Sequence, residues 1–341
     1  MKKSLKVTLI SIGGVFAFVV TFMGGVLALP LFEKYDIKET TEIPAKKYDA
    51  NNWMSHLDGK TKLQNVIMPG THDAATSRVQ LGFYARCQQY TIKEQLEKGY
   101  RYLDIRLRMD GDNDDLVLCH AFSDCTTTAL PIAKKLRLSN VLEDCYNFLN
   151  TNKSETIVFA VKQEYGNEPI AEFEKTLNKT ISKNKSNWLL TNELPTLEEA
   201  RGKLVLLRRY NDDANLGLDS GIPLIWSDQG NKDHTEKAFS NNDDHVGSTK
   251  LYVQDRYHYN VINKWEAFTN KETKFIEDAC VISFSSTAGA WIIGHPFSYA
   301  TKLNKNIYEL YKNEKPNKWT IVDFGGEMLA RQIYKWNDFI D

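Results

Sequence analysis

His72 and Asp73 place an imidazole beside a carboxylate, a combination that can transfer protons near neutral pH. The residues before this pair, Leu63–Met68, form a short apolar run that predicts a β-strand. Pro69 and Gly70 then predict that the strand ends and the chain turns. A histidine and an aspartate just past one strand end are a weak signal, because such residues commonly cap or cross-link a loop. The signal becomes stronger because the same arrangement recurs along the chain.

Seven further apolar runs, rich in Val, Ile and Leu, predict strands that carry or precede polar side chains. They cover residues 101–107, 116–119, 156–161, 203–207, 251–254, 281–284 and 319–322. The polar residues that they present are Asp104, Arg106, His120, Lys162, Arg209, Asp255, Ser285 and Asp323. Each of these has an ordinary structural explanation, such as a loop cap or an ion pair at the edge of the core. That explanation does not extend easily to the whole series.

Segments with helical periodicity separate the apolar runs, at residues 91–99, 139–150, 170–183, 196–201, 261–277 and 301–313. Continuous apolar strands that alternate with helices are typical of a parallel sheet buried on both faces. Eight strands over about 270 residues favour a closed barrel over an open sheet. We therefore predict an α/β fold, a (βα)8 TIM-type barrel in a single domain. The active site of such a barrel lies where the C-terminal ends of the strands meet, so the polar series is expected on one rim.

The N-terminus has a different character. Lys2, Lys3 and Lys6 precede an uncharged stretch from Val7 to Phe32. A cleaved secretory signal, with small residues at Val26–Ala28, and a retained membrane anchor over residues 7–29 both fit this pattern. With the lysines inside, both alternatives make the rest of the chain secreted or extracytoplasmic. The predicted boundaries are 1–32 for the signal or anchor, 33–55 for a connector and 56–341 for the barrel domain.

The composition limits the remaining possibilities. The chain has 341 residues, of which 42% are apolar and 26% are charged, as in an ordinary globular protein. The net charge of -1 provides no basic field for nucleic acid. The five cysteines match no zinc signature, and we expect a structural disulfide or buried thiols. Cys119 and Cys125 are close enough in sequence to bridge a loop, and the other three are Cys87, Cys145 and Cys280.

The polar series resembles that of the bacterial phosphatidylinositol-specific phospholipase C family. The matching segments are residues 69–73, 99–106, 117–120, 154–162, 201–210, 253–257, 282–286 and 319–323. The first four segments, in their order, are specific, whereas the later ones are individually weaker but follow in the right sequence. The resemblance implies a distorted (βα)8 barrel, in agreement with the pattern of strands and helices.

The resemblance also implies a reaction. The inositol 2-hydroxyl attacks the neighbouring phosphate, which expels diacylglycerol and leaves inositol 1,2-cyclic phosphate. Because the nucleophile is already tethered to the phosphate, the substrate itself supplies proximity. By resemblance, His72 is the general base and is oriented by Asp323. His120 is then the general acid and is paired with Asp73.

The same resemblance assigns the groups that bind the substrate. Arg106 neutralises the phosphate and is held by Asp104, and a planar guanidinium suits two phosphate oxygens. An arginine at this place supplies positive charge itself, so we predict that no metal and no other cofactor is needed. The residues implied for the inositol ring are Lys162, Arg209 and Asp255 for its hydroxyl groups and Tyr257 for stacking.

A membrane surface that contains phosphatidylinositol is the expected partner of a chain that is expected to be monomeric. Trp291 and Phe83 stand in apolar stretches after the seventh and first predicted strands, where they can insert into a lipid interface. The alternative is that both rings pack under their own loops. No strong basic cluster lies near them in sequence, so attraction to anionic lipid is expected to be weak.

Two departures from the family pattern leave the substrate open. Ala74 and Ala75 replace small polar residues, and cysteines lie near His120. Phosphatidylinositol, glycosyl-phosphatidylinositol anchors and another phosphodiester therefore remain alternatives. A metal-dependent phosphodiesterase that acts on another lipid would need a cluster of carboxylate ligands, which Arg106 disfavours. A binding module without activity would be expected to lack one of the catalytic side chains, yet all of them are present.

Overall fold

A computed structural model describes residues 49–111, 115–128, 134–230, 244–270, 278–287, 295–316 and 318–340. The predicted signal or anchor and most of the predicted connector lie outside these residues, and so does Trp291. Within these ranges, no helix is long and apolar enough to cross a membrane.

The described strands are β1 (Met68–Thr71), β2 (Tyr102–Met109), β3 (Leu116–His120), β4 (Ser123–Asp124), β5 (Ile157–Gln163), β6 (Trp188–Leu189), β7 (Leu204–Arg208), β8 (Ile222–Ile225), β9 (His245–Val246), β10 (Thr249–Gln254), β11 (Cys280–Phe284) and β12 (Trp319–Val322). Nine of them close into a barrel in the order β1, β2, β5, β7, β8, β9, β10, β11 and β12, with β12 paired to β1. The pairing is parallel except around β9, which is antiparallel to β8 and β10. This confirms a distorted TIM-type barrel.

The described α-helices are α1 (Gly82–Ala85), α2 (Ile92–Glu97), α3 (Leu138–Thr151), α4 (Ile170–Ser182), α5 (Leu197–Ala200), α6 (Val261–Thr269), α7 (Pro296–Asn313) and α8 (Glu327–Tyr334). Four short 3-10 helices occupy Trp53–His56, Leu63–Asn65, Lys185–Asn187 and Gly217–Ser220. Local chemistry sets several helix starts. Thr91, for example, exchanges capping hydrogen bonds with Glu94 at the start of α2.

Alternation along the strands places the polar side chains inside the barrel. On β2, Tyr102 packs in one core cluster with Val158 of β5, whereas Leu103 packs in a second cluster that contains side chains of α3. Successive side chains of a strand point to opposite faces. Asp104 and Arg106, two and four positions after Tyr102, therefore share the inner face towards the C-terminal end of β2.

The start of β1 corrects a prediction. Leu63–Met68 is not a strand, because Leu63–Asn65 forms a 3-10 helix and the strand starts only at Met68. Pro69 and Gly70 were expected to end the strand, yet both lie inside it. The ladder to β2 begins at Gly70, so the missing N–H of Pro69 removes no bond from that ladder. An added Cβ on Gly70 would lie 2.4 Å from Ile321 Cδ1, and only glycine fits there.

The third predicted strand also has a different place. β3 does not enter the barrel, because it pairs antiparallel with β2 and continues antiparallel into β4. β8 and β9, which were not predicted, fill the wall between β7 and β10. The alternation of β-strands and helices therefore predicted the barrel correctly but not every strand in it.

The barrel domain starts before the predicted boundary at residue 56. Trp53 is fully buried, stacks on Tyr334 at a centroid distance of 4.9 Å, and donates from its indole nitrogen to the carbonyl of Gly99. The Arg101 guanidinium, which is ion-paired with Glu155, also donates to the Ala50 carbonyl. The last residues of the predicted connector are therefore part of the core.

Candidate active site

A cleft of about 890 Å³ opens at the end of the barrel where β1, β2, β5 and β7 finish. Eight of the ten residues predicted for catalysis and inositol binding line it, namely His72, Arg106, His120, Lys162, Arg209, Asp255, Tyr257 and Asp323. The other two, Asp73 and Asp104, are buried beside Arg106 and contact it. The structure thus brings the whole predicted set together.

His72 is held at both ring nitrogens. Its Nδ1 lies 2.9 Å from Asp323 Oδ1, and its Nε2 lies 2.8 Å from Arg106 Nη2. An arginine can only donate, so Nε2 is an acceptor and the proton of the neutral ring is on Nδ1, where it is donated to Asp323. This is the tautomer that a general base acting through Nε2 requires.

The electrostatics around His72 favour its protonated form. Burial lowers the pKa of the ring and Arg106 lowers it further, but the carboxylates of Asp323 and Asp73 outweigh both. The pKa of His72 therefore lies above its ordinary value of 6.5. A raised pKa gives the neutral ring a greater affinity for the proton that a general base must accept.

The main chain around His72 is fixed by buried contacts. The His72 N–H donates to the carbonyl of Val322 on β12, and Gln88 Nε2 donates to the His72 carbonyl at 2.6 Å. Asp73 has a φ of 43°, in the left-handed region that a non-glycine residue seldom adopts. Such a conformation persists only where surrounding contacts enforce it. The sequence did not single out Gln88.

His120 approaches the cleft from the β3–β4 hairpin. Its Nδ1 lies 2.8 Å from the Ala85 carbonyl and 3.3 Å from Asp73 Oδ2, so Nδ1 is a donor and Nε2 is the nitrogen that remains for a ligand. The ring centroids of His120 and His72 are 6.5 Å apart. The two imidazoles can therefore act on opposite sides of a small group placed between them.

Arg106 lies within ion-pair distance of three carboxylates. Its Nε lies 3.1 Å from Asp73 Oδ1 and 3.2 Å from Asp104 Oδ2, and its Nη1 lies 3.5 Å from Glu164 Oε1. Burial lowers the pKa of Arg106, but these three carboxylates raise it well above its ordinary value. Burial raises the pKa of Asp104, yet Arg106 and Arg209 together hold it well below the usual range. A permanent positive charge is thus fixed beside His72.

A second group of side chains forms the side of the cleft away from His120. The Arg209 guanidinium carbon lies 3.8 Å from the centre of the Trp226 ring, and the Trp226 indole nitrogen donates to Asp255 Oδ2 at 3.3 Å. The Tyr257 hydroxyl donates to Asp228 Oδ1 at 2.7 Å. Charged and aromatic groups in this arrangement suit a polyhydroxylated ring, because they offer hydrogen bonds at the edge and an apolar face.

Three lining residues were missed from the sequence. Glu164 bridges Lys162 and Arg106, and its carboxylate lies 2.7 Å from Lys162 Nζ. Its position two residues after Lys162 on β5 was the available signal, because both side chains must then share the inner face. Trp226 and Asp228 follow β8, and the sequence offered no strand from which to place them.

The membrane-interface prediction for Phe83 is wrong. Phe83 is only 8% exposed, and its ring packs against Tyr84 and His295 at centroid distances of 4.8 and 4.5 Å. Its neighbours Leu81 and Tyr84 are 49% and 47% exposed. The short helix α1 turns the Phe83 side chain inwards, which an apolar stretch read without its helical geometry does not reveal. Trp291 lies outside the described residues, so its role stays a prediction.

All five cysteines are buried free thiols, which excludes the bridge that seemed open to Cys119 and Cys125. Burial raises the pKa of the Cys87 thiol well above its ordinary value, and nearby carboxylates add to this effect. Donor atoms of His72, Asp73 and Cys87 lie within 4.8 Å of one another, the spacing of a metal site. Two of these donors already contact the Arg106 guanidinium, which disfavours a cation at that place.

Comparisons with known proteins agree with this geometry. Residues 67–210 match the family model described as "Phosphatidylinositol-specific phospholipase C, X domain". A protein of Staphylococcus aureus strain Newman named 1-phosphatidylinositol phosphodiesterase is 29% identical over 310 residues, which cover 85% of this chain and 91% of that protein. The chain is similar to the bacterial phosphatidylinositol-specific phospholipases C, and residues 67–210 carry the match to their X domain.

Other bacterial phospholipases C are also similar to this chain in sequence and in fold. The 1-phosphatidylinositol phosphodiesterase of Listeria monocytogenes serovar 1/2a is 26% identical over 337 residues, which cover 88% of this chain and 93% of that protein. A crystal structure of the Staphylococcus aureus enzyme aligns with a TM-score of 0.68 at 25% identity, covering 86% of this chain and 95% of that one. The structure of the Listeria monocytogenes enzyme aligns with a TM-score of 0.63 at 25% identity. The alignment covers 85% of this chain and 100% of that one.

Proposed function

We propose that this chain is a phosphatidylinositol-specific phospholipase C that forms diacylglycerol and inositol 1,2-cyclic phosphate by general acid–base catalysis. The observation that carries the proposal is the pair His72 and His120, which face one cleft with a carboxylate at each Nδ1. The Arg106 guanidinium lies beside them. The names of the staphylococcal and listerial relatives support the same substrate class.

His72 acts first in this mechanism. Its Nε2 accepts the proton of the inositol 2-hydroxyl as the oxygen of that hydroxyl attacks phosphorus. Asp323 keeps the opposite N–H in place and stabilises the imidazolium that forms. In the structure Nε2 accepts from Arg106, so a bound phosphate must take over that guanidinium donor and release the lone pair.

His120 completes the reaction on the side of the leaving group. Its protonated Nε2 donates to the diacylglycerol oxygen as the bond between that oxygen and phosphorus breaks, and Asp73 stabilises the charged ring. Arg106 offers N–H groups to the phosphate oxygens on which charge accumulates. Buried Asp73 and Asp104 keep this guanidinium in place between the two imidazoles.

The inositol ring is held by the groups on the other side of the cleft. Lys162 and Arg209 donate to its hydroxyl groups, Asp255 accepts from them, and the Tyr257 ring packs on its face. Glu164 holds Lys162 from beneath and so joins the inositol-binding side to Arg106. A headgroup that carries further sugar, as in a glycosyl-phosphatidylinositol anchor, is a second substrate class that this open cleft can admit.

The substrate is a lipid, so the mouth of the cleft must face a phosphatidylinositol-containing membrane. Four large apolar side chains that line the cleft or lie within a few residues of its lining are between 47% and 70% exposed, namely Leu81, Tyr84, Phe122 and Tyr165. They are suited to contact an interface. We also propose that the enzyme acts as a monomer outside the cytoplasmic membrane, as the basic and apolar N-terminus predicts.

A headgroup assay tests the proposal. Purified protein is incubated with vesicles of phosphatidylinositol or of phosphatidylcholine, and diacylglycerol release is measured, with His72→Ala as the control for contaminating lipase. We expect release from phosphatidylinositol alone and none with the variant. Equal release from both lipids, or release that survives in the variant, contradicts the proposal.

A further inference from the structure

Lys264 is a fully buried lysine that the mechanism above does not use. It lies on α6, behind the end of β10, and its relative exposure is 0%. Its Nζ donates to Gln254 Oε1 at 3.0 Å and to the Arg256 carbonyl at 2.8 Å. Among the described residues it forms no ion pair with a carboxylate. An ammonium buried with uncharged partners is costly, so such a residue calls for an explanation.

The two acceptors of Lys264 lie immediately before and after Asp255. Gln254 Oε1 also accepts the Arg256 N–H at 3.1 Å, and Gln254 Nε2 donates to the Phe284 carbonyl at 2.8 Å. Lys264 therefore closes a small network that clamps the turn after β10 to β11. Every polar atom in this network is buried, where hydrogen bonds hold geometry well.

The Asp255 main chain is also held from the other side. Its N–H donates to Gln229 Oε1 at 3.0 Å, and Gln229 Nε2 donates to the Val253 carbonyl at 3.1 Å. The Asp255 carboxylate then accepts from the Trp226 indole at 3.3 Å. Fixing both neighbours of Asp255 thus fixes the one carboxylate that we assign to an inositol hydroxyl. The turn ends at Tyr257, the ring assigned to stacking.

We propose that Lys264 is a positioning residue that fixes the turn Asp255–Tyr257 and so determines the affinity of the cleft for the inositol ring. This inference rests on the proposed function. It deepens that function because it separates inositol recognition from the chemistry at His72 and His120. Burial lowers the pKa of Lys264 to about 7, although Asp255 and Asp323 act in the opposite sense. The shift reflects how little charge compensation surrounds the amine, so its place in the fold rests on its two hydrogen bonds.

Lys264→Met tests the proposal, because methionine nearly fills the same space and removes all three donors. We expect KM for a water-soluble inositol phosphodiester, and the inhibition constant of myo-inositol, to rise about tenfold or more with kcat within about threefold. Gln254→Met should give the same change, and the double variant should be no worse than either single variant. Lys264→Arg, which keeps the charge and donors, should retain most of the affinity.

Lys318→Met is the matched control. Lys318 Nζ likewise donates to an amide oxygen, of Asn65, and to a carbonyl, of Ala279, but it precedes β12, at the opposite end of that strand from Asp323, and does not line the cleft. Its loss should lower the unfolding temperature without changing KM. If KM rises equally in the two lysine variants, or if it stays unchanged in a folded Lys264→Met protein, the proposal is overturned.

A fluorescence measurement tests the positioning role of Lys264 independently of the proposed enzymatic function. The Trp226 indole contacts Asp255, so loosening of the turn should change the fluorescence of Trp226. The fluorescence spectra of Lys264→Met and wild type are compared. The same comparison in a Trp226→Phe background shows which part of the difference comes from Trp226. A wild-type protein with no phosphodiesterase activity contradicts the proposed function, whereas the fluorescence still shows whether Lys264 fixes the turn. A spectrum unchanged by Lys264→Met overturns the positioning role whatever the activity.

Discussion

The two histidines of the cleft have different hydrogen-bond partners. His72 donates from Nδ1 to a carboxylate and accepts at Nε2, whereas His120 donates from Nδ1 to a main-chain carbonyl with Asp73 close by. The first arrangement stabilises the imidazolium that appears when a base takes a proton. The second keeps Nε2 directed to a leaving group. In the proposed mechanism, base and acid are therefore distinguished by their contacts and not by residue type.

The leaving group should separate the two roles. His72→Ala should lower kcat/KM by at least about 100-fold with any substrate, because the 2-hydroxyl loses its base. His120→Ala should cause a similar loss with phosphatidylinositol but a much smaller loss with a nitrophenyl phosphodiester, whose leaving oxygen needs no proton. Steady-state kinetics of the two variants, each with the two substrates, measure these losses. Equal losses for His120→Ala with both substrates contradict the role of general acid.

Asp323 should set the acidic limb of the pH profile. In wild type, kcat/KM should rise with pH as His72 loses its proton, with a midpoint above 6.5 because the pKa of His72 is raised. Asp323→Asn removes the main group that raises this pKa, so the midpoint should move to lower pH while the plateau falls. Asp323→Glu, which keeps the charge, should leave the midpoint close to wild type. An unchanged midpoint in Asp323→Asn contradicts the assignment of His72 as the titrating base.

At the scale of elements, apolar runs predicted which segments are buried but not how they pair. The predicted runs that begin at residues 101, 156, 203, 251, 281 and 319 became barrel strands, because a buried parallel strand is apolar on both faces. Leu63–Met68 is equally apolar yet begins as a 3-10 helix, and β3 turned back on β2. Neither outcome is visible in a hydrophobic pattern, since pairing depends on neighbours distant in sequence.

The site was predicted more completely than the fold for a related reason. Polar and ionisable residues at the C-terminal ends of the strands meet at one end of a TIM-type barrel, whichever strands are paired. Trp226 and Asp228 were missed because β8 has only four residues and two of them are half-buried. Glu164 was missed although it directly follows β5, and the alternation of that strand, continued by one residue, places it beside Lys162. The burial of Phe83 depended on the orientation of α1, which no pattern of apolar residues determines.

Gly70 tests the close packing of the strand that carries His72. Gly70→Ala should destabilise the protein by about 1–3 kcal/mol, because the new methyl group would overlap Ile321 and Tyr102 on the two adjacent strands. Activity should fall as well, since the shift is transmitted to His72 two residues later. Urea unfolding and kinetics measure both effects. Gly59→Ala, which meets only the flexible Glu198 side chain, is the control and should change neither by much.

At the scale of the molecule, two exposed aromatic residues directly follow segments that contribute side chains to the cleft. Phe122 follows His120 closely and Tyr165 follows Lys162, and their rings are 5.9 Å apart. Such a pair at the mouth of a cleft can enter the interfacial region of a bilayer, where aromatic side chains are favoured.

Replacing Phe122 and Tyr165 by serine should weaken membrane binding without changing the activity on a soluble substrate. The double variant Phe122→Ser with Tyr165→Ser should bind phosphatidylinositol vesicles about tenfold more weakly, because exposed apolar area is lost. It should keep wild-type kcat/KM on a water-soluble inositol phosphodiester. Vesicle sedimentation and solution kinetics measure the two quantities. Unchanged sedimentation contradicts the assignment of this pair to the interface.

The most direct test of the central claim is phosphorus NMR of the products from phosphatidylinositol vesicles, with and without EDTA. Two imidazoles and Arg106 supply the proton transfers and the positive charge, so we predict an inositol 1,2-cyclic phosphate signal that appears at the same rate in both samples. A signal that disappears with EDTA, or an acyclic phosphate as the first product, would contradict the acid–base mechanism without a metal.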